Sequence, residues 1–199
     1  MKTIKVLLLP GWQNSGAEHW QSRWERQHGY ERVQQHEWMH PLRGDWIARL
    51  QDVVLDHAAR KAPDAPADIV LAAHSLGCQL VAAWAVDNPL AVHIRGALLA
   101  APGDPQREEL CGLLGSWTRI ALQTLPFPSL LLGSRDDPYC SLARAQEFAQ
   151  AWGARFIDCG NRGHLNADSG LGDWPQGHAL LRQLADAPQA TFQRHEQEV

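Results

Sequence analysis

No run of about 20 apolar residues occurs anywhere in the 199-residue chain, so the sequence offers no spanning helix. Surplus positive charge is missing as well. Lys and Arg total 18 against 22 Asp and Glu, and the basic residues, mostly arginines, are scattered, which excludes the electrostatic footprint of a nucleic-acid binder. The four cysteines, Cys78, Cys111, Cys140 and Cys159, form no C-x-x-C pair, excluding a zinc ribbon and a thioredoxin-type centre. They read as buried free thiols of a reducing compartment. Asp158, Cys159, His164, Asp168, Asp173 and His178 crowd the C-terminal third, but their spacing matches no zinc or calcium pattern. Neither metal nor cofactor is expected. Internal repeats and low-complexity linkers are also lacking. The opening MKTIKVLLLPG places lysines before an apolar run, yet that run stops at Pro10 without a small-residue cleavage site, so it reads as a first strand. A soluble cytoplasmic protein without membrane contact is the expectation.

What is present fits one domain over residues 1–187, followed by a frayed tail at 188–199. Short apolar runs at 4–10, 68–73, 94–102, 128–134 and 154–160 end in Gly, Pro, Asp or Ser, as strands buried on both faces do. A weaker strand is indicated at 32–38. Amphipathic stretches lie between them: Glu18 to Gln27, Asp45 to Lys61, Gly77 to Asn88, Ser141 to Trp152 and Gln176 to Ala185. Alternating strand and helix predicts an α/β fold, a mostly parallel sheet of about six strands with helices on both faces. Reactive groups then belong beyond the carboxyl ends of the strands. The less regular stretch from Pro102 to Pro128 predicts a minimal lid.

Three strand ends carry suggestive chemistry. HSLG follows the strand at 68–73, RDDPYCS the one at 128–134, and CGNRGHLN the one at 154–158. Ser75, an Asp at 136 or 137, and His164 thus occur in the order Ser, Asp, His of the nucleophile-elbow hydrolases. A serine hydroxyl needs a base to take its proton, and a sharp turn must lift it above the sheet toward that base. Small residues two before and two after the serine let strand and helix pass: Ala73 and Gly77 here. The backbone N–H of Leu76, opening a helix, and that of Trp12, in the loop PGWQNSG after the first strand, are the candidate oxyanion donors.

Each residue also has a plainer reading. A serine before a helix is most often a cap; the strand before Ser75, Gly77 after it and the ordered Asp and His downstream weigh against that. His164 stands out from His178 and His195 because it follows a strand within a glycine-rich loop. His74, beside the serine, reads as structural, and Asp104 and Asp158 are weaker candidates for the acid. Among nine tryptophans, Trp20, Trp24, Trp84 and Trp152 lie on helices and read as core, leaving the loop residues Trp12 and Trp174 as possible pocket walls.

LLLPGWQNSGAEHWQSRWE, AHSLGC, GSRDDPYCS and GNRGHLNADSGLGDWPQG, taken together over residues 4 to 185, resemble the small serine hydrolases related to retinoblastoma-binding protein 9, in particular their bacterial branch. The resemblance implies an α/β-hydrolase fold with little lid, Ser75 as nucleophile, His164 as base and Asp137 as acid. Ala73 stands where the family commonly has glycine, and Ser141 where a proline often follows the acid.

The expected activity is hydrolysis of a small ester or related acyl compound, with a small-molecule substrate as the partner. A non-catalytic interaction protein on the same scaffold is the rival, and a lyase using the same three residues is a third possibility. No LxCxE-type motif for binding pocket proteins is present.

Overall fold

The computed structural model describes residues 4–62 and 65–187. Six strands form one sheet: β1 (Lys5–Leu9), β2 (Glu31–Arg32), β3 (Ile69–His74), β4 (Ile94–Ala100), β5 (Ser129–Gly133) and β6 (Arg155–Asp158). Their order is β2-β1-β3-β4-β5-β6 and every pairing is parallel. Parallel neighbours need crossovers, and the helices supply them: α1 (Trp20–His28), α2 (Arg43–Ala58), α3 (Leu76–Ala85), α4 (Glu108–Cys111), α5 (Leu142–Trp152) and α6 (Pro175–Asp186).

Strands buried on both faces need apolar residues at consecutive positions, and period-two alternation then sorts them to opposite sides. Leu7, Leu9, Ile69, Leu71, Ala97, Leu99 and Leu131 join one core cluster with Trp46, Leu50 and Val54 of α2 and Phe148 and Trp152 of α5. Val6, Leu8, Val70, Ala72, Leu98, Leu130 and Leu132 join the other, with Trp20 and Trp24 of α1 and Leu181 and Leu184 of α6.

Local signals place the helix ends. His19 caps α1, its Nδ1 accepting from the Gln21 N–H at 3.2 Å, and Gly29 ends the helix with φ of 66°. Ser141 caps α5 through the Arg144 N–H, Gly153 closes it in the left-handed region, and Pro175 opens α6.

Several expectations need correction. Of the strand anticipated at 32–38 only Arg32 joins the sheet, within the two-residue β2, and its side chain is committed to the loop before α1 and to α1 itself. Its guanidinium donates to Asn14 Oδ1, Ser15 O, Ser22 Oγ and Glu25 Oε2. The run at 154–160 pairs only over Arg155–Asp158, since Gly160 turns away with φ of 70°. Cysteine burial is mixed: Cys78 and Cys140 are buried, Cys159 is half-buried and Cys111 is exposed at the end of four-residue α4. The tail expected at 188–199 lies outside the described residues, as does His195.

From β1 the chain runs to β2 on one side, and β3 lies on the other, so a topological switch point falls between the carboxyl ends of β1 and β3. The two segments there are in near contact. A Cβ added to Gly77 would lie 2.2 Å from the Leu9 carbonyl oxygen and 2.9 Å from that of Pro10. Gly77→Ala therefore has to push α3 off β1. Overpacking of this kind costs ~1–3 kcal/mol or more; we expect a loss at the upper end, read as a lower urea midpoint with an unchanged m-value.

Candidate active site

Ser75 links β3 to α3 with φ of 55° and ψ of −121°, far from helical angles. Such a backbone costs of order 1–3 kcal/mol for a residue with a Cβ and persists only where the surroundings impose it. Its N–H donates to Ala100 O and its carbonyl accepts from Cys78 N–H. The Ser75 side chain makes no capping hydrogen bond to α3, so the plainer reading as a helix cap does not describe it. Two glycines press on the turn. A Cβ on Gly11 would fall 2.7 Å from Ser75 Cβ, and one on Gly103 would fall 3.2 Å from Ser75 Oγ. Gln79 of α3 holds Gly103 by donating from Nε2 to its carbonyl at 2.8 Å.

His164 sits in the loop after β6, with its side chain nearly buried. Its Nδ1 lies 2.9 Å from both carboxylate oxygens of Asp137, whose side chain is 2% exposed. An ionised carboxylate only accepts, so Nδ1 carries the proton and Nε2 is left with its lone pair. Asp137 Oδ1 also accepts from the Tyr139 N–H at 2.8 Å. The neighbouring Asp136 is employed elsewhere, its Oδ1 accepting from Ser134 Oγ and the Gly163 N–H, both at 2.8 Å. These bonds hold its carboxyl below the usual range, with the Ser134 hydroxyl the largest cause. Asp158 pairs with Arg135, and Asp104 with Arg144.

Ser75 and His164 line one cavity of about 280 Å³, together with Trp12, Leu76, Leu110 and Leu114. No hydrogen bond joins Ser75 Oγ to His164 Nε2 among the described residues, as is common before a substrate draws such groups together. Leu76 is the first residue of α3, where N–H groups have no partner within the helix. The Trp12 N–H is not used by another described residue either. The Trp12 indole donates to Met39 O at 2.8 Å, fixing the ring at the cavity wall.

Trp174 is elsewhere. It precedes α6 with φ of 44°, is buried in the second core cluster, and lies 5.0 Å from the Trp20 ring and 6.0 Å from that of Trp24. Gly177 makes room for it: a Cβ there would fall 2.3 Å from the indole. It lines neither of the two cavities beside His164, which corrects the expectation of a pocket wall.

Other residues shape the site: His74, read from the sequence as structural, and His19 and Tyr139, which sequence reasoning passed over. His74 directs Nε2 to the His164 carbonyl oxygen at 2.8 Å, tying β3 to the loop that carries the imidazole. The rings of His19, His74 and His164 follow one another at centroid distances of 4.6 and 4.8 Å. Tyr139 packs on His164 at 4.6 Å. Burial, followed by the His164 and Arg32 charges, lowers His19 from the ordinary 6.5 to about 3; burial likewise takes His74 well down. The H in GAEHW carried a legible signal as a polar residue directly before a helix. The neighbours of His74 depend on contacts distant in sequence.

Three comparisons bear on this geometry. The family model described as serine hydrolase matches residues 6–183. A protein described as a YdeN-like hydrolase from Pectobacterium atrosepticum is similar at 32% identity, covering 92% of this chain and 89% of its own, with a TM-score of 0.74. The B. subtilis ydeN product, at 18% identity, covers 92% and 98% with a TM-score of 0.71. An esterase, RhEst1 from Rhodococcus sp., shares the fold at 12% identity, 91% coverage of each chain and a TM-score of 0.60. No curated protein matches the chain by sequence.

The buried histidines have a measurable consequence. Their folded pKa values lie below the unfolded value near 6.5, so the unfolded chain takes up protons first as pH falls. Stability is full above about pH 6.5 and declines as pH falls below it, for His19 until about pH 3, by about 1.4 kcal/mol per pH unit for each histidine protonated only in the unfolded chain. His19→Asn replaces the Nδ1 cap with a capping amide oxygen and removes one titrating group. Urea midpoints measured from pH 7 to 4 are expected to fall less steeply for this variant.

Proposed function

The chain belongs to the serine hydrolase family, and from that premise we propose that it cleaves esters of short acyl groups through an acyl-enzyme on Ser75. The observation that carries the reading is the Asp137 carboxylate on His164 Nδ1, in the same structure that holds Ser75 at a strained turn and opens both residues to one cavity.

In this mechanism His164 Nε2 takes the Ser75 hydroxyl proton as Oγ attacks the ester carbonyl carbon. Negative charge moves to the carbonyl oxygen, toward the N–H groups of Trp12 and Leu76, and loss of one such donor typically costs ~3–4 kcal/mol of transition-state stabilisation. Collapse of the tetrahedral intermediate breaks the carbon–oxygen bond to the alcohol, which leaves with the proton from His164. Water then repeats the sequence on the acyl-enzyme, releasing the acid and restoring Ser75. Asp137 fixes the imidazole tautomer and compensates its transient positive charge.

A cavity of about 280 Å³ lies at the small end of ligand sites, and Leu110 and Leu114 from the short 102–128 segment give it an apolar side. Both favour short acyl chains. Within the family, the four motifs named above favour the branch related to retinoblastoma-binding protein 9.

A fluorophosphonate probe is expected to label the wild-type protein and not Ser75→Ala; equal labelling would overturn the proposal. With p-nitrophenyl esters, kcat is expected to fall about 10⁴-fold in Asp137→Asn, where the imidazole loses its orienting carboxylate. Asp136→Asn is expected to lose less than about tenfold, because its hydrogen bonds serve the loop rather than the ring.

A further inference from the structure

A second cavity, of about 530 Å³, adjoins the first, and His164, Tyr139 and Asn166 line both. Its character is different. Leu110 and Leu114 belong only to the first, whereas Asn161, Arg162, Asp168 and Ser169 belong only to the second. Among the described residues the side chains of Asn161, Arg162 and Asp168 make no hydrogen bond or ion pair. Asp136, the remaining charged group of this wall, already accepts from Ser134 Oγ and the Gly163 N–H. The groove therefore offers an uncommitted carboxylate, guanidinium and amide around one exposed aromatic ring, that of Tyr139 at 41% exposure.

Direction follows from the proton route. His164 has to protonate the departing alcohol, so the leaving group must lie against the imidazole during acylation. The groove that shares His164 as a wall is the natural place for the remainder of that alcohol. We propose that it receives the alcohol half of the ester and that this half is a polyol, a glycerol- or sugar-like group with adjacent hydroxyls. The inference rests on the ester hydrolysis proposed above and adds the substrate class. A hydroxyl both donates and accepts, which suits Asp168 together with Arg162 and Asn161. A simple anion would meet Asp168 and Asp136, and a simple cation would meet Arg162. The carbon-bound face of a polyol suits Tyr139.

The test uses butanoate esters that share one acyl group, with glycerol, propanol, choline and 3-hydroxypropanoate as alcohols, each rate divided by that ester's alkaline hydrolysis rate. The wild-type protein is expected to prefer the glycerol ester to the propyl ester about tenfold in kcat/KM, mainly through KM, as expected for about one added hydrogen bond. Asp168→Ala and Arg162→Ala are each expected to lower the glycerol-to-propyl ratio at least about threefold. Equal use of glycerol and propyl esters, preference for the choline or hydroxypropanoate ester, or an unchanged ratio in both variants would overturn the proposal. A binding arm separates this from failure of the hydrolase reading. In Ser75→Ala, glycerol monobutanoate is expected to shift the amide resonances of Asn161, Arg162 and Ser169, and propyl butanoate to leave them in place. Shifts without Ser75-dependent turnover would sink the hydrolase and keep the groove; turnover without them would do the reverse.

Discussion

The close crossing of α3 over the end of β1 is the constraint on which the site depends. With Gly77 against the Leu9 and Pro10 carbonyls and Gly11 against Ser75, the turn after β3 and the loop after β1 have no slack relative to one another. Consequently the Ser75 hydroxyl and the N–H groups of Leu76 and Trp12 are positioned by backbone contacts rather than by mobile side chains. Strain at φ of 55° is sustained because both neighbouring segments resist relaxation. Four hydrogen bonds hold the loop after β1: Arg32 donates to Asn14 Oδ1 and to Ser15 O, Ser15 Oγ donates to Gln21 Oε1, and Gln21 Nε2 donates to Ala72 O of β3. The short second strand thus serves mainly to bring a guanidinium under this loop.

The layer architecture explains why Asp137 and His164, the proposed acid and base, arrive on separate loops. Asp137 follows β5 and His164 follows β6, and adjacent parallel strands release their chains at the same edge of the sheet. Cys159 N–H bonds to Gly133 O and Arg135 N–H to Gly160 O, so the two loops leave as a pair. Their registration is finished by the Asp136 carboxylate, which accepts from Ser134 on one loop and Gly163 on the other. One aspartate of the pair braces the loops and the other faces the imidazole.

That division of labour marks the limit of what the sequence makes legible. Apolar runs and helical periodicity identify the strands and helices because strands buried on both faces and amphipathic helices require those patterns. The elbow is legible in HSLG because its steric demands are local. Asp136 and Asp137 are chemically alike; the residues themselves leave both open, the family resemblance points to Asp137, and the path of the loop across β5 and β6 separates them physically. Trp174 illustrates the opposite error: a tryptophan between Asp173 and Pro175 reads as loop, yet a left-handed turn folds its ring onto Gly177 and into the core. His19 escaped notice, and His74 could be read only as structural, because their place in a ring series assembled from α1, β3 and the loop after β6 depends on contacts distant in sequence.

That series has an electrostatic logic. A base that becomes positive during the reaction is disfavoured by any fixed positive charge nearby, most of all in a dry site where screening is weak. Two of the rings in line with His164 are titratable, but burial holds both His19 and His74 neutral, and the His164 charge itself opposes their protonation. They therefore contribute shape and hydrogen bonds without charge. In the proposed mechanism the imidazolium of His164 faces, among the described residues, one ion-pair partner, Asp137, at 2.9 Å from Nδ1. Burying two neutral histidines costs stability in acid, as the linkage argument requires. In the proposed mechanism, the proton that leaves Ser75 then meets a base whose one ion-pair partner among the described residues, Asp137, favours its arrival.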